Sequence, residues 1–327
     1  MNRAPHTLLV GPYVGEFGWE LMNWQGRVRR VAEQGDYDRI VVCALPDRRC
    51  LYVPHDADGR VVFCPMDHLE LPGAANEDHR VGSDGERLLA AAVVNAVRSQ
   101  VDATCRRYSL NADGAEYMSP GYRSELWPTI RAHQSFCELR QNVDVTTDIV
   151  LVPRQRDLAA ERNQPRHWWD ELARRLTDSG LAVEVYAQPL DAAIRQLSRA
   201  RLAVGASTGG LHLASLCRCP HYVWGSGSEA RWTGLGITNR QRYETVWNPL
   251  GTPCWYDECG WQPEMSRIVD CARRALDEIG LPRGRRRVAW SLRPTWRLKR
   301  RLSRVLDGGG AISWPWRLRR IVREQIL

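Results

Sequence analysis

The fold of this chain is decided by the stretch Ser207-Thr208-Gly209-Gly210-Leu211-His212-Leu213-Ala214-Ser215-Leu216. The apolar run at 201–205 before it and the run at 220–225 after it are typical of buried strands. A glycine turn between a strand and a helix leaves backbone N–H groups at the positive end of the helix dipole. That geometry suits a phosphate or diphosphate. It is also the geometry of an ordinary strand-to-helix turn, and both interpretations stay open on this stretch alone.

Alternating strands and helices extend outward from this stretch in two series. The predicted strands are 7–11, 38–44, 59–64, 148–153 and 181–187, and the predicted helices are 19–31, 86–101, 124–141, 166–178 and 190–200. Such alternation favours parallel sheets with helical crossovers. We therefore predict an α/β protein with two doubly wound, Rossmann-like domains facing a cleft. The predicted boundaries are 1–146, 147–282 and a basic helical tail at 283–327.

The composition is that of a globular protein large enough for two cores. The 327 residues are 43% hydrophobic and 26% charged, and none of the apolar runs approaches the roughly 18 residues of a membrane span. The residues at 7–10 are typical of a first strand instead of a signal peptide. Most of the ten cysteines lie in apolar runs of the sequence, which favours reduced thiols in a cytoplasmic protein.

The basic character of the chain belongs to its C-terminal tail. Residues 283–327 hold fourteen basic and two acidic residues, a net charge of +12. The rest of the chain has a net charge of −4, which gives the overall net charge of +8. Tryptophans and spaced leucines among the arginines favour a helix on an anionic membrane surface. Packing onto the N-terminal domain and nucleic-acid binding are the alternatives, and we predict no specific nucleic-acid partner.

A second glycine turn, residues 11–18, follows the first predicted strand. Its Glu16 would lie at the mouth of the sheet, where a carboxylate can take a proton from a bound hydroxyl. The alternative is that Glu16 only stabilises the helix dipole. Glu20, one turn later, is predicted to lie on the helix surface or to support the site.

Other motifs add cations and weigh against a metal. Arg154 and Arg156 follow a predicted strand, with Arg162 and Arg166 after them, and these arginines could clamp phosphate oxygens or be solvated surface charges. His212 could contact a ligand or be a buried structural histidine. The cysteines at 254 and 259 lack the spacing of a zinc site, and the Asp-Tyr-Asp at 36–38 is predicted to be a turn at the opposite end of the sheet.

Taken in order, these motifs resemble the heptosyltransferase-like glycosyltransferases of family nine, which have the GT-B fold. The resemblance is carried by Ser207 to Pro220, by Arg166-His167-Trp168, by residues 253–259 and by Gly15-Glu16. It is best over about 148–280. Glutamate stands at 16 where the family has aspartate, and Ala206 stands where the family has an acidic residue.

The resemblance implies an inverting, metal-independent transfer of a sugar from a nucleotide-sugar donor to a glycan or lipid-linked acceptor, in the synthesis of cell-surface polysaccharide or lipopolysaccharide. It implies no cofactor, and a peripheral place on the inner face of the cytoplasmic membrane. Glu16 is the expected catalytic base, and Gly15, Phe17 and Gly18 are expected at the acceptor. The expected donor-binding residues are Arg154, Arg156, Arg166, Ser207, Thr208, Gly209, Gly210, Leu211 and His212. A non-catalytic nucleotide- or sugar-binding module and a nucleotide-sugar epimerase of the same fold are the alternatives.

Overall fold

The computed structural model of the chain describes residues 5–15, 17–53, 59–71, 91–118, 134–156, 160–227 and 238–280. The strands are β1 (Thr7–Val10), β2 (Arg39–Ala44), β3 (Val61–Pro65), β4 (Glu116–Met118), β5 (Thr147–Val152), β6 (Val183–Val185), β7 (Ala200–Ala206), β8 (His221–Trp224) and β9 (Cys254–Asp257). The α-helices are α1 (Phe17–Trp19), α2 (Gln25–Gln34), α3 (Arg49–Tyr52), α4 (Ala91–Arg107), α5 (Arg166–Asp178), α6 (Leu190–Ser198), α7 (Gly209–Leu216), α8 (Asn239–Glu244) and α9 (Met265–Gly280). A π-helical turn spans Glu20–Trp24, and 3-10 turns span Pro46–Arg48 and Ala160–Arg162.

Two parallel sheets organise these elements. The first has the strand order β3-β2-β1-β4 and the second has the order β6-β5-β7-β8-β9. Every pairing in both sheets is parallel. The predicted α/β class with two parallel sheets is therefore confirmed. The exact domain boundaries stay a prediction.

The second sheet is covered by helices on both faces, because its strands alternate apolar side chains between the faces. Ile149 and Leu151 pack with α5 and α9, while Val150 and Val152 pack with α6 and α7. Helix α5 shows how the sequence dictates this packing. Trp169, Leu172 and Leu176 form its buried stripe at helical spacing. The helix ends just before Gly180, whose φ of +84° few other residues adopt.

The first sheet is built in the same way. Leu9, Val41 and Cys43 pack against α4, whose buried face repeats Val93, Val97 and Val101. The opposite faces of β1 and β2 pack against the π-helical turn and α2. One continuous core then joins the two sheets, since Leu8 and Val10 belong to the same buried cluster as Val150 and Val152.

The predicted helix at 124–141 is wrong over its described part, residues 134–141, which form no helix. These residues run irregularly between the two sheets, and their backbone bonds go to other elements. Ser135 N donates to the Gly26 carbonyl, and Leu139 N donates to the Leu216 carbonyl. The remainder of that prediction, and the tail at 283–327, lie outside the described residues.

Candidate functional site

The first glycine turn lies at the carboxyl end of β1. After Val10 the chain passes through residues 11–15, and α1 begins at Phe17. Gly15 has a φ of +136°, in the region that glycine occupies far more readily than other residues. Glu16, the expected catalytic base, lies outside the described residues. The expected acceptor residues Gly15, Phe17 and Gly18 lie just after the carboxyl end of β1, at the mouth of the first sheet.

The second glycine turn lies at the carboxyl end of β7 and is held by hydrogen bonds. Ser207 N donates to the Trp224 carbonyl at 3.1 Å. The Tyr243 hydroxyl donates to Ser207 Oγ at 2.9 Å. Thr208 is the N-cap of α7, and its side chain makes no capping bond. The turn is thus fixed from β8 and α8 before the helix begins.

The two glycine turns are in contact with each other. A Cβ atom added to Gly209 would lie 3.0 Å from Phe17 Cδ1 and 3.3 Å from Gly18 N. A Cβ atom added to Gly210 would lie 2.5 Å from Val152 Cγ1. An added side chain at Gly210 would force a shift between α7 and β5, and one at Gly209 would make a tight contact between the two turns. The structure brings the expected acceptor turn directly against the expected donor turn.

Two arginines lie next to this junction. Arg162 donates from Nη2 to the Ser207 carbonyl at 3.1 Å, and its guanidinium lies 3.9 Å from the Trp261 ring centroid. Arg242 is buried and lies 4.6 Å from the Trp247 ring centroid. Burial lowers the pKa of Arg242 to about 10, so it remains charged at neutral pH. Cation–π contacts of this kind hold guanidinium groups in place without neutralising them.

His212 lies in the first turn of α7 and is packed among aromatic rings. The Tyr243 ring stacks on it at 5.2 Å, and the Trp247 ring lies at 4.6 Å. Burial lowers the pKa of His212 to about 3, and the nearby His221, Arg242 and Arg162 add to that effect. His212 is therefore neutral at pH 7. Its Nδ1 atom has no hydrogen-bond partner among the described residues.

The three expected donor arginines occupy different surroundings. Arg154 is buried and donates from Nη1 to Asn163 Oδ1. Arg156 is half-buried, and its carbonyl accepts a hydrogen bond from Asn163 Nδ2 at 2.7 Å. Arg166 is exposed at the first residue of α5. Arg162 donates a hydrogen bond to the Ser207 carbonyl; the sequence placed it among the arginines after the strand but not among the expected donor-binding residues.

Glu20 was predicted to lie either on the helix surface or in support of the site, and the surface position is wrong. It is only 4% exposed and is the first residue of the π-helical turn. Arg48 Nε donates to Glu20 Oε2 at 2.9 Å, and the Tyr52 hydroxyl approaches Oε1 at 3.4 Å. Burial raises the pKa of the Glu20 carboxyl to about 7, and Arg48 opposes part of that rise.

The remaining motifs hold no metal site in the described part of the chain, where no group of three or more histidine, cysteine or acidic side chains could bind an ion. All ten cysteines are described and are free thiols. The Asp-Tyr-Asp at 36–38 lies before β2, where Asp38 accepts a hydrogen bond from His6 N at 2.7 Å. It therefore lies at the end of the sheet opposite the glycine turns, as predicted.

Taken together, these contacts form a junction that suits an anion. The N-terminus of α7 and Arg162 meet at Ser207, and Arg242 and the neutral His212 both lie against the Trp247 ring. Such an arrangement stabilises a phosphate or diphosphate without any change in protonation at neutral pH.

No helix within the described ranges is long and apolar enough to cross a membrane.

No protein-family model matches the sequence, and no curated protein matches it. Solved structures do resemble the chain. The E. coli heptosyltransferase WaaC with ADP is 12% identical, with 84% of this chain and 100% of that chain covered and a TM-score of 0.44. The E. coli ADP-heptose LPS heptosyltransferase II is 11% identical over 84% and 99%, with a TM-score of 0.49. A family 9 glycosyl transferase of Veillonella parvula is 8% identical over 85% and 99%, with a TM-score of 0.43.

These structures are therefore similar to the chain in the arrangement of their elements. With TM-scores between 0.43 and 0.49 and identities of 8–12%, they identify no activity for it. Its function is inferred from its own residues.

Proposed function

We propose that the chain is a glycosyltransferase that moves a sugar from a nucleotide-sugar donor to a glycan or lipid-linked acceptor. The observation that carries the proposal is the contact of Phe17 and Gly18 with Gly209. It sets a turn of the first sheet against the N-terminal end of α7. Parallel sheets bind ligands beyond the carboxyl ends of their strands, and both turns lie at such ends.

The donor diphosphate would bind at the start of α7, against the backbone N–H groups of 208–211. Arg162 bonds to the Ser207 carbonyl, and Arg242 lies against the Trp247 ring that also contacts His212, so both cations lie close to this turn. A helix N-terminus and fixed arginines can neutralise the negative charge that develops on a leaving diphosphate. Transfer would then need no metal ion.

The acceptor would bind at the first turn, with Glu16 removing the proton from its hydroxyl group. The hydroxyl oxygen would attack the anomeric carbon from the side opposite the diphosphate, so the configuration at that carbon would invert. Either a heptose or a hexose fits this chemistry. The product would belong to lipopolysaccharide or another cell-surface polysaccharide.

The basic tail at 283–327 would hold the enzyme on the inner face of the cytoplasmic membrane. Its net charge of +12 would attract anionic lipid by about 1 kcal/mol for each basic residue near the surface. Full-length protein should therefore float with vesicles that contain anionic lipid, and a version ending at Pro282 should not. Equal flotation of both proteins would remove the tail from the proposal.

The first test of the activity is a panel of nucleoside-diphosphate sugars. A donor at about 100 times its Kd should stabilise the native protein by about 2.7 kcal/mol, which is a measurable rise in melting temperature. The donor that gives the rise is then assayed for sugar transfer and for slow hydrolysis. Stabilisation without turnover would indicate a binding module, and conversion of the donor to its epimer would indicate an epimerase.

The second test is the variant Glu16→Gln, with the exposed Glu264→Gln as its matched control. Loss of a general base lowers turnover by roughly 10²- to 10⁴-fold. Glu16→Gln should show that loss while the donor still raises its melting temperature. Glu264→Gln should behave as wild type. Wild-type turnover in Glu16→Gln would exclude Glu16 as the base.

A further inference from the structure

A buried carboxylate lies beside the junction of the two turns. Glu20 is 4% exposed and is bonded to Arg48, whose Nε donates to Oε2 at 2.9 Å. Tyr52 approaches the other carboxylate oxygen at 3.4 Å. Arg48 also pairs with its neighbour Asp47. Burying an ion pair has a desolvation cost that the attraction between its two charges often does not repay, so this buried pair calls for a reason.

Arg48 connects this carboxylate to the junction. Its guanidinium lies 4.8 Å from the ring centroid of Phe17. Phe17 in turn contacts Gly209, since an added Cβ there would lie 3.0 Å from Phe17 Cδ1. Arg48 is also close enough to Tyr186, in the second half of the chain, to influence its hydroxyl. The path from Glu20 through Arg48 and Phe17 thus reaches the first residue of α7 in three contacts.

We infer that Glu20 is a positioning residue, whose ionised carboxylate holds Arg48 over Phe17 and so fixes the turn next to Glu16 against Gly209. The catalytic consequence rests on the proposed transferase function. The positioning itself does not, because it concerns contacts that exist without substrate. Held in this way, the first turn would keep a constant distance from a donor seated on α7.

The ionisation of Glu20 should respond to pH near neutrality. Burial raises the pKa of its carboxyl to about 7, and Asp47 adds to the rise, while Arg48 and Tyr52 oppose it. Four other titratable groups face this cluster. Arg29 lies near Tyr52, Tyr186 and Cys50 lie near Arg48, and Asp191 lies near Cys50. When Glu20 takes a proton, Arg48 keeps Asp47 as its charged partner and its hold on Phe17 weakens.

The test compares Glu20→Gln with the matched control Glu184→Gln. Gln keeps the shape of the side chain and removes the charge, as protonation does. Glu184 also pairs with an arginine, since Arg199 Nη2 lies 2.7 Å from its Oε2, but it lies on β6. Misplacement by about 1 Å costs about 10²-fold in rate. Glu20→Gln should therefore lower kcat by roughly ten- to hundred-fold and change the donor KM by less than about three-fold.

The pH profile separates positioning from a general loss of structure. Wild-type kcat should rise through about pH 7, and this rise should be absent in Glu20→Gln and present in Glu184→Gln. The conservative variant Glu20→Asp keeps the charge and should restore part of the rise. The same inflection in Glu20→Gln as in wild type would overturn the inference.

A second readout needs no activity. Amide hydrogen exchange is compared between variant and wild type at each pH, for peptides covering 11–24 and 207–216. At about pH 8 both peptides should exchange several-fold faster in Glu20→Gln through local motions that leave residue 20 buried, and at about pH 6 the ratio should approach one. Global unfolding at pH 8 should not become easier in the variant, because ionisation of the buried Glu20 disfavours the native state. Equal exchange at pH 8 would refute the positioning role even if transfer is observed. Faster exchange without transfer in wild type would instead refute only the proposed function.

Discussion

The buried pair His212 and His221 should make the protein sensitive to acid. Burial lowers the pKa of His212 to about 3 and that of His221 to about 4, from an ordinary value of 6.5. The unfolded chain therefore binds protons at pH 5 that the native protein excludes. Because the native pKa values are lowered, their contribution to stability is complete above pH 6.5 and is lost as the pH falls towards 3 or 4.

The magnitude follows from these shifts. Between about pH 7.5 and pH 5, each histidine should cost about 2 kcal/mol of unfolding free energy, or about 4 kcal/mol for the two. Glu20 acts in the opposite direction, because its pKa is raised from 4.5 to about 7. Its contribution is complete below pH 4.5 and is lost as the pH rises through 7, so acidification recovers about 2 kcal/mol. The unfolding free energy of the wild-type protein therefore reports only the difference between the loss from the two histidines and the recovery from Glu20.

The variant His212→Phe isolates one term. Phe keeps the ring that stacks on Tyr243 and removes the titrating group. Urea unfolding at about pH 5 and pH 7.5 should show that the variant loses about 2 kcal/mol less than wild type on acidification. A change in unfolding free energy equal to that of wild type would refute the assignment of His212 as a buried neutral histidine.

Two further substitutions test the packing of the second turn. Gly210→Ala would place a methyl group 2.5 Å from Val152 Cγ1 and should lower the unfolding free energy by about 1–3 kcal/mol. The control is Gly280→Ala, whose added methyl group would lie 4.0 Å from its nearest neighbour, so its melting temperature should be close to that of wild type. Equal melting temperatures of the two variants would contradict the close approach at residue 210. Tyr243→Phe removes the hydrogen bond to Ser207 Oγ and should cost about 1 kcal/mol in urea unfolding; an unchanged midpoint would show that this bond does not hold the turn.

The parts of the fold that could be predicted are those whose cause is local. Helix α5 was predicted with its observed bounds, 166–178, because an apolar stripe and the end signal at Gly180 both lie within a few residues. Both glycine turns were predicted at strand ends for the same reason. The irregular segment 134–141 was wrongly predicted to be a helix. Its backbone bonds to Gly26 and Leu216, which lie far away in sequence, and local spacing cannot reveal such bonds.

The same distinction applies to the site. Local spacing could not decide between a surface and a supporting position for Glu20, because its carboxylate is covered by Arg48 and Tyr52 from a later part of the chain. Arg242 was not predicted, and Arg162 was noted but not assigned to the donor, because their positions depend on contacts with Trp261 and Trp247 from elsewhere in the chain. A signal for Arg162 was present, since it follows the same strand as Arg154, but its spacing alone could not choose between them.

The buried cluster that joins Leu8 and Val10 to Val150 and Val152 limits how this chain can be recombined. Each half contributes the inner face of its own sheet to a shared interior, so a half exchanged for that of a distant relative would meet side chains of the wrong shape. A chimera joined near residue 146 would need the faces of both sheets, and the segment 134–141 between them, to be transferred as a set. Donor and acceptor specificity could then diversify more readily by substitutions in the turns than by exchange of whole halves.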